Sequence, residues 1–149
     1  MAHWRLFYHF VWTTKNREPW LTPDIVESVY RFLRSEAKKL YVPLFVIGGT
    51  ADHVHILAAV GPAVSPAAFM KQLKGSSSRF IPLEFKRPFA WQDGYGVFSV
   101  SEQNVPDVKT YIDQQQQHHA DGGLIEEWEK VHHWTIAPSA SEIAPDPRP

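Results

Sequence analysis

The fold is decided by the stretch DHVHIL, residues 52–57, in which two histidines are separated by one apolar residue. Its apolar, β-branched composition predicts a strand, and strand side chains two positions apart leave the same face. His53 and His55 therefore share one face, while Val54 and Ile56 share the other. Paired imidazoles on one face form half of a site for a divalent metal ion. The pattern is also typical of two partly buried histidines that hydrogen-bond on a sheet, so the pair alone leaves both interpretations open.

The length and composition predict one globular domain. The chain has 149 residues, of which 44% are hydrophobic, enough for a single proper core. We expect a domain over residues 1–136 with its core at about 4–119, and a disordered Pro/Ala/Ser-rich tail over 137–149. The absence of cysteine excludes disulfides, thiolate zinc sites and cysteine nucleophiles. Neither a signal peptide nor a membrane-spanning run is evident, so the expectation is a soluble cytoplasmic protein.

The charge is distributed unevenly along the chain. Residues 1–90 carry twelve Lys/Arg against six Asp/Glu, whereas residues 91–149 carry three against ten. A basic first part is compatible with a nucleic-acid surface. An ordinary solvated surface would give the same counts, so charge does not decide between these interpretations.

Outward from residues 52–57, local signals predict alternating strands and helices. A proline follows a cap residue at Thr22-Pro23 and at Ser65-Pro66, which predicts two helix starts. Strands are predicted at 4–13, 44–47, 53–60 and 91–101, with a bend at Gly48-Gly49. A last helix is predicted at 105–119, opened by a variant capping box of Asn104 and Asp107.

This order is that of a ferredoxin-like α+β fold, a βαββαβ antiparallel sheet with an added C-terminal helix. Two helices are expected on one face of the sheet, and the other face is expected to be open. The run Gly75-Ser76-Ser77-Ser78 is poor helix material, and we expect it to mark a helix end or the close approach of a ligand.

The C-terminal helix carries the second group of candidate residues. Tyr111 and Gln115 are four apart and so project together, with His118 nearly in line, while Val108 and Ile112 form the packed side. A phenol can act as a nucleophile and an amide oxygen as a metal ligand. An ordinary amphipathic-helix tyrosine and a solvated surface amide would fit the same spacing.

Four groups of motifs, in this order, resemble the single-tyrosine HUH transposases, which include insertion-sequence enzymes and REP-associated tyrosine transposases. The motifs are Tyr8-His9-x-x-Trp12-Thr13-Thr14-Lys15-x-Arg17; Gly48-Gly49-x-x-Asp52-His53-Val54-His55-Ile56-Leu57; Leu73-Lys74-Gly75-x-Ser77-Ser78-Arg79; and Gly94-Tyr95-Gly96-x-Phe98-Ser99-Val100 with Tyr111-Ile112-x-x-Gln115-x-x-His118-His119. The resemblance spans roughly residues 5–119. Each motif alone is weak, but their combination is specific.

The resemblance implies that His53, His55 and Gln115 hold a metal and that Tyr111 attacks DNA. It implies cleavage and rejoining of single-stranded, hairpin-containing DNA through a 5′-phosphotyrosine intermediate, in a homodimer. Mg²⁺ or Mn²⁺ is the expected cofactor, because two imidazoles and an amide leave phosphate oxygens to neutralise the charge of the ion.

Five cations are candidate phosphate contacts, and a histidine is a candidate assisting group. The cations are Lys15, Arg17, Lys71, Lys74 and Arg79. His118 is placed to assist the site, although a histidine also suits a helix terminus. His132 and His133 lie past the resemblance and receive no role.

Other functions compete with this interpretation. A histidine-triad hydrolase would need a third alternate histidine where Leu57 stands, and a two-histidine phosphoesterase would need a second His-x-Thr/Ser, which is absent. A non-catalytic, ferredoxin-like single-stranded nucleic-acid-binding module stays open, as does a domesticated host DNA-processing relative.

Overall fold

The structure is a computed structural model and describes residues 2–115. Its centre is a four-stranded antiparallel sheet in the order β2-β3-β1-β4. The strands are β1 (Phe7–Thr13), β2 (Leu44–Thr50), β3 (His53–Ala59) and β4 (Gly96–Val100). The helices are α1 (Pro23–Lys39), α2 (Pro66–Phe85) and α3 (Val105–Asp113). This is the βαββαβ arrangement with an added helix, and the predicted ferredoxin-like fold is confirmed.

Both cap-plus-proline signals mark helix starts as predicted. Pro23 and Pro66 are the first residues of α1 and α2. Ser65 caps α2 directly, since its hydroxyl accepts a hydrogen bond from the Ala68 backbone N–H at 3.0 Å.

The main core lies between the sheet and helices α1 and α2. Phe10 of β1 and Ile56 of β3 point into it and meet Leu33 of α1 and Leu73 of α2, all of them fully buried. Strand alternation sends the neighbouring side chains to the other face.

The prediction that this other face is open was wrong. Helix α3 packs on it and forms a second, smaller core of Val46, Leu57, Val108, Tyr111 and Ile112. The face therefore carries both histidines of residues 52–57 and a helix packed directly on them.

Several local predictions were also wrong. Gly48 and Gly49 lie inside β2, and the turn falls at residues 51–52. The run of residues 75–78 lies within α2 and so does not mark a helix end; its serine hydroxyls donate to carbonyls three and four residues earlier. The alternative expectation, the close approach of a ligand, stays a prediction.

The last elements also differ from the predicted ones. Trp91 forms only an isolated bridge to Thr14, and β4 begins at Gly96. Asn104 makes no side-chain cap hydrogen bond to α3, so the proposed capping box was wrong. His118 and the predicted tail lie outside the described residues. Within residues 2–115 no helix is long and apolar enough to span a membrane.

Candidate active site

The first residue of β3 connects the sheet to the tyrosine helix. His53 and Gln115 are 62 positions apart in sequence, yet His53 Nε2 lies 3.1 Å from Gln115 Oε1. Both side chains are buried, with about 1% of their surface exposed. The structure thus brings together two residues that were predicted to share a site.

The other ring nitrogen of His53 is held by an acidic neighbour. Its Nδ1 lies 2.7 Å from Asp52 Oδ1 and 2.9 Å from the Thr50 hydroxyl, which donates to the same carboxylate oxygen. The hydrogen bond to His53 is the main reason that the pKa of Asp52 falls to about 2, so its carboxylate only accepts. Nδ1 of His53 therefore donates to Asp52, while Nε2 and the acceptor Oε1 of Gln115 face each other at 3.1 Å, an arrangement that suits two ligands of one metal ion.

The second histidine of β3 has a partner that sequence reasoning missed. His55 Nδ1 lies 2.7 Å from Nε2 of His9 in β1, and both rings are fully buried. His9 reaches this position because it lies on the same face of the adjacent strand, paired with Leu57. The available signal was the odd-numbered alternation of β1, which puts a histidine on the face opposite Phe10 and Trp12.

Tyr111 closes the cluster from above the sheet. Only 4% of it is exposed, and its ring centre lies 6.0 Å from that of His55 and 6.5 Å from that of His9. The helix comes this close because β2 has a glycine beneath it. A Cβ at Gly48 would lie 2.1 Å from the backbone oxygen of Ile112.

The predicted ligand set can be tested by its donor chemistry. His53, His55 and Gln115 offer two imidazoles and one amide oxygen, which suit a divalent ion that keeps positions for water or phosphate. Asp52 contacts the Nδ1 side of His53, the side away from Gln115, and so fits a supporting partner rather than a ligand. Within residues 2–115 no group of three His, Asp or Glu side chains forms an alternative site.

The five predicted phosphate contacts lie on two elements, the turn after β1 and helix α2. Arg17 contacts Asp52 at 3.6 Å and has a left-handed backbone φ of 54°. Lys15 belongs to the same short turn and is exposed.

The other three candidates lie on α2. Lys71 and Arg79 are exposed there, on the side of the sheet opposite α3. Lys74 instead donates to the backbone oxygens of Gln92 and Gly94, each at 2.7 Å, and its desolvation lowers its pKa.

Fold and site together define a class: an antiparallel α+β protein with an HxH strand beneath a tyrosine helix. Comparison with known proteins gives the family. Residues 2–115 match the family described as "Transposase IS200 like". The chain belongs to the IS200-like transposase family.

Individual relatives agree with this assignment. The chain is similar to the transposase for insertion sequence element IS200 of Salmonella typhimurium, with 33% identity over 125 residues, covering 77% of this chain and 81% of that protein. It is 26% identical over 119 residues to the ISDra2 transposase TnpA of Deinococcus radiodurans, covering 75% and 85% of the two chains.

Two solved structures resemble the fold. A crystal structure of a putative transposase from Deinococcus radiodurans matches with a TM-score of 0.64 and 30% identity, covering 76% of this chain and 93% of that one. A REP-associated tyrosine transposase bound to a REP hairpin matches with a TM-score of 0.58, covering 85% and 77%. Its identity is 11%, so that likeness concerns the fold alone.

Proposed function

We propose that this transposase is a metal-dependent, HUH-type enzyme that cleaves and rejoins single-stranded DNA through a 5′-phosphotyrosine on Tyr111. The observation that supports this most is the 3.1 Å contact between His53 Nε2 and Gln115 Oε1. It ties the strand that carries both histidines to the segment that carries the tyrosine, so that the three proposed ligands and the nucleophile form one buried cluster.

The chain's own residues would perform the covalent step. The phenolic oxygen of Tyr111 attacks the scissile phosphorus, the bond to the 3′ oxygen breaks, and the phenolic proton passes to solvent while the 3′ oxygen gains one. A free 3′-OH can reverse the reaction and join a new DNA end without ATP. Because an ordinary tyrosine has a pKa of about 10, the phenol is a weak nucleophile at neutral pH.

The proposed ligands His53, His55 and Gln115 would hold Mg²⁺ or Mn²⁺. When bound, such an ion supplies charge stabilisation at the phosphate and the departing oxygen. Two neutral imidazoles and an amide contribute no negative charge, so the phosphate itself would complete the neutralisation. Asp52 would keep the lone pair of His53 on Nε2 throughout.

The proposed substrate is single-stranded DNA that contains a hairpin, and the proposed assembly is a homodimer. One fold neighbour is a transposase bound to a REP hairpin, which supports a hairpin partner. Arg17 is a candidate phosphate contact near the cluster, because its guanidinium lies 3.6 Å from Asp52, the neighbour of the proposed ligand His53. Lys15, Lys71 and Arg79 are exposed and remain candidate contacts along the DNA, and His118 a candidate assisting group.

Covalent trapping tests this function. Hairpin-containing single-stranded oligonucleotides are incubated with the protein and Mn²⁺ or EDTA, beside Tyr111→Phe, and resolved on denaturing gels. We expect a metal-dependent protein–DNA adduct that is lost in Tyr111→Phe. DNA binding that persists in EDTA without any adduct would favour a non-catalytic binding module. An adduct that survives in Tyr111→Phe would show that Tyr111 is not the nucleophile.

A further inference from the structure

We propose that His9 is a positioning residue for His55: His9 Nε2 accepts a hydrogen bond from His55 Nδ1–H and fixes the tautomer in which His55 Nε2 carries the lone pair. This rests on the proposed function in one respect, that His55 is a metal ligand. His9 would not touch the metal or the DNA. It would act only through the ring of His55.

The geometry requires that the two rings share a proton. Their nitrogens are 2.7 Å apart, and both side chains are fully buried. Two lone pairs, or two N–H groups, facing each other at that distance would be repulsive. One nitrogen must therefore donate and the other accept, and the direction of the bond fixes the tautomer of both neutral rings.

The arrangement around His53 indicates the direction. There too Nδ1 is held by a side chain from outside the HxH pair, and Asp52, being ionised, can only accept from it. If His9 likewise accepts, the Nδ1 of each β3 histidine donates, and neutral His55 presents Nε2 as the unprotonated nitrogen. If His9 donated instead, the proton of neutral His55 would sit on Nε2 and a metal could bind there only by displacing it.

The surroundings of His9 hold its ring in place. Strand pairing sets it diagonally opposite His55, since His9 pairs with Leu57 and Val11 pairs with His55. Its ring centre lies 5.9 Å from that of Phe98 and 6.5 Å from that of Tyr111. A central strand and two aromatic rings thus hold the His9 ring, and with it the acceptor Nε2, in position. A surface side chain would lose rotamer freedom on accepting the same hydrogen bond.

The direct test is side-chain ¹⁵N NMR of the metal-free wild-type protein at about pH 8, where neutral imidazoles predominate. We expect His55 as the Nδ1–H tautomer, with its Nε2 resonance that of an unprotonated nitrogen. A protonated Nε2 on His55 would overturn the proposal. This measurement involves no mutation, metal or DNA, so its result does not depend on whether strand transfer occurs.

Two substitutions at His9 then test the consequence for metal binding. His9→Phe keeps the ring but removes the acceptor, and His9→Gln restores an acceptor near the position of Nε2. By Mn²⁺ titration we expect His9→Phe to bind about 10- to 100-fold more weakly, and His9→Gln to recover most of that loss. An unchanged Mn²⁺ affinity in a folded His9→Phe would refute the positioning role.

The results also separate this inference from the proposed function. If the tautomer and the Mn²⁺ affinities behave as expected but no Tyr111 adduct forms, the role of His9 stands and the strand-transfer proposal fails. If the adduct forms normally while His55 carries its proton on Nε2, the reverse holds.

Discussion

The close approach of α3 to β2 gives a sharp test of how the tyrosine is placed, through Gly48→Ala. The added Cβ would lie 2.1 Å from the Ile112 backbone oxygen and 3.1 Å from its Cγ2, whereas ordinary contacts begin at 3.4 Å. The oxygen belongs to helix backbone and cannot rotate away alone. The helix must therefore retreat from the strand by roughly 1.3 Å to restore a normal contact.

That displacement reaches the proposed nucleophile at once. Tyr111 precedes Ile112 and Gln115 follows it by three residues, so both would move with the helix, while His53 and His55 stay on β3. A misplacement of about 1 Å can cost about 100-fold in rate, and overpacking costs about 1–3 kcal/mol of stability. We expect Gly48→Ala to lose about 100-fold in the single-turnover rate of adduct formation while remaining folded.

The matched control is Gly75→Ala, because a Cβ at Gly75 has no atom within 4 Å. Within a helix, this substitution should raise the free energy of unfolding by at most about 1 kcal/mol. It should leave the rate of adduct formation at saturating DNA unchanged. The assay is quenched-flow adduct formation with urea unfolding of both variants. A Gly48→Ala protein that forms adduct at the wild-type rate would refute the argument that this contact sets the position of Tyr111.

Two further predictions concern charged side chains. The buried Glu36 accepts from Lys39 at 2.5 Å and from Gln72 at 3.4 Å, and chiefly the Lys39 contact lowers its pKa below 4.5. The ionised Glu36 therefore stabilises the fold above its ordinary pKa of 4.5, and this contribution is lost as the pH falls through the lower folded-state pKa. Between about pH 6 and pH 3.5 we expect the urea midpoint to fall more in the wild type than in Glu36→Gln. Equal falls in the two proteins would contradict this. If Lys71 contacts phosphate, Lys71→Gln should reduce the slope of log DNA affinity against log salt concentration by about 1. Lys74→Gln should instead cost about 1 kcal/mol of stability, because it removes two hydrogen bonds to backbone carbonyls. The opposite pattern would assign the DNA contact to Lys74.

Much of the fold was predictable because its signals are local. Pro23 and Pro66 fix helix starts within their own turn, and the alternation of His53 and His55 fixes which side chains share a face. The helix end predicted at residues 75–78 was wrong because the local signal of the serines is ambiguous. A serine hydroxyl can hydrogen-bond outside a helix or to a carbonyl one turn earlier within it, and the packing of neighbouring residues determines which occurs. Here Ser77 bonds back to Leu73 and accepts from the Trp91 indole, so α2 continues.

The packing of α3 was not predictable from its own sequence. The sequence set Tyr111 and Gln115 apart from the packed side of Val108 and Ile112, yet both are buried on the sheet. What buries them is the missing side chain at Gly48, more than sixty residues away, and the contact of Gln115 with His53. The role of His9 was missed for the same physical reason, since it depends on the register of β1 against β3.

The two parts of the proposed site, the strand histidines and helix α3, are held by different forces, and this has a consequence for its dynamics. Backbone hydrogen bonds of adjacent central strands fix His9, His53 and His55 relative to one another. By contrast, α3 packs through a small apolar cluster and through the side chain of Gln115, which contacts His53. Local opening follows the weakest packing, so the helix should detach from the sheet before the strands separate. Tyr111 and Gln115 would then move while the histidines keep their geometry, as the proposed transfer of a DNA end on Tyr111 between cleavage and rejoining would require.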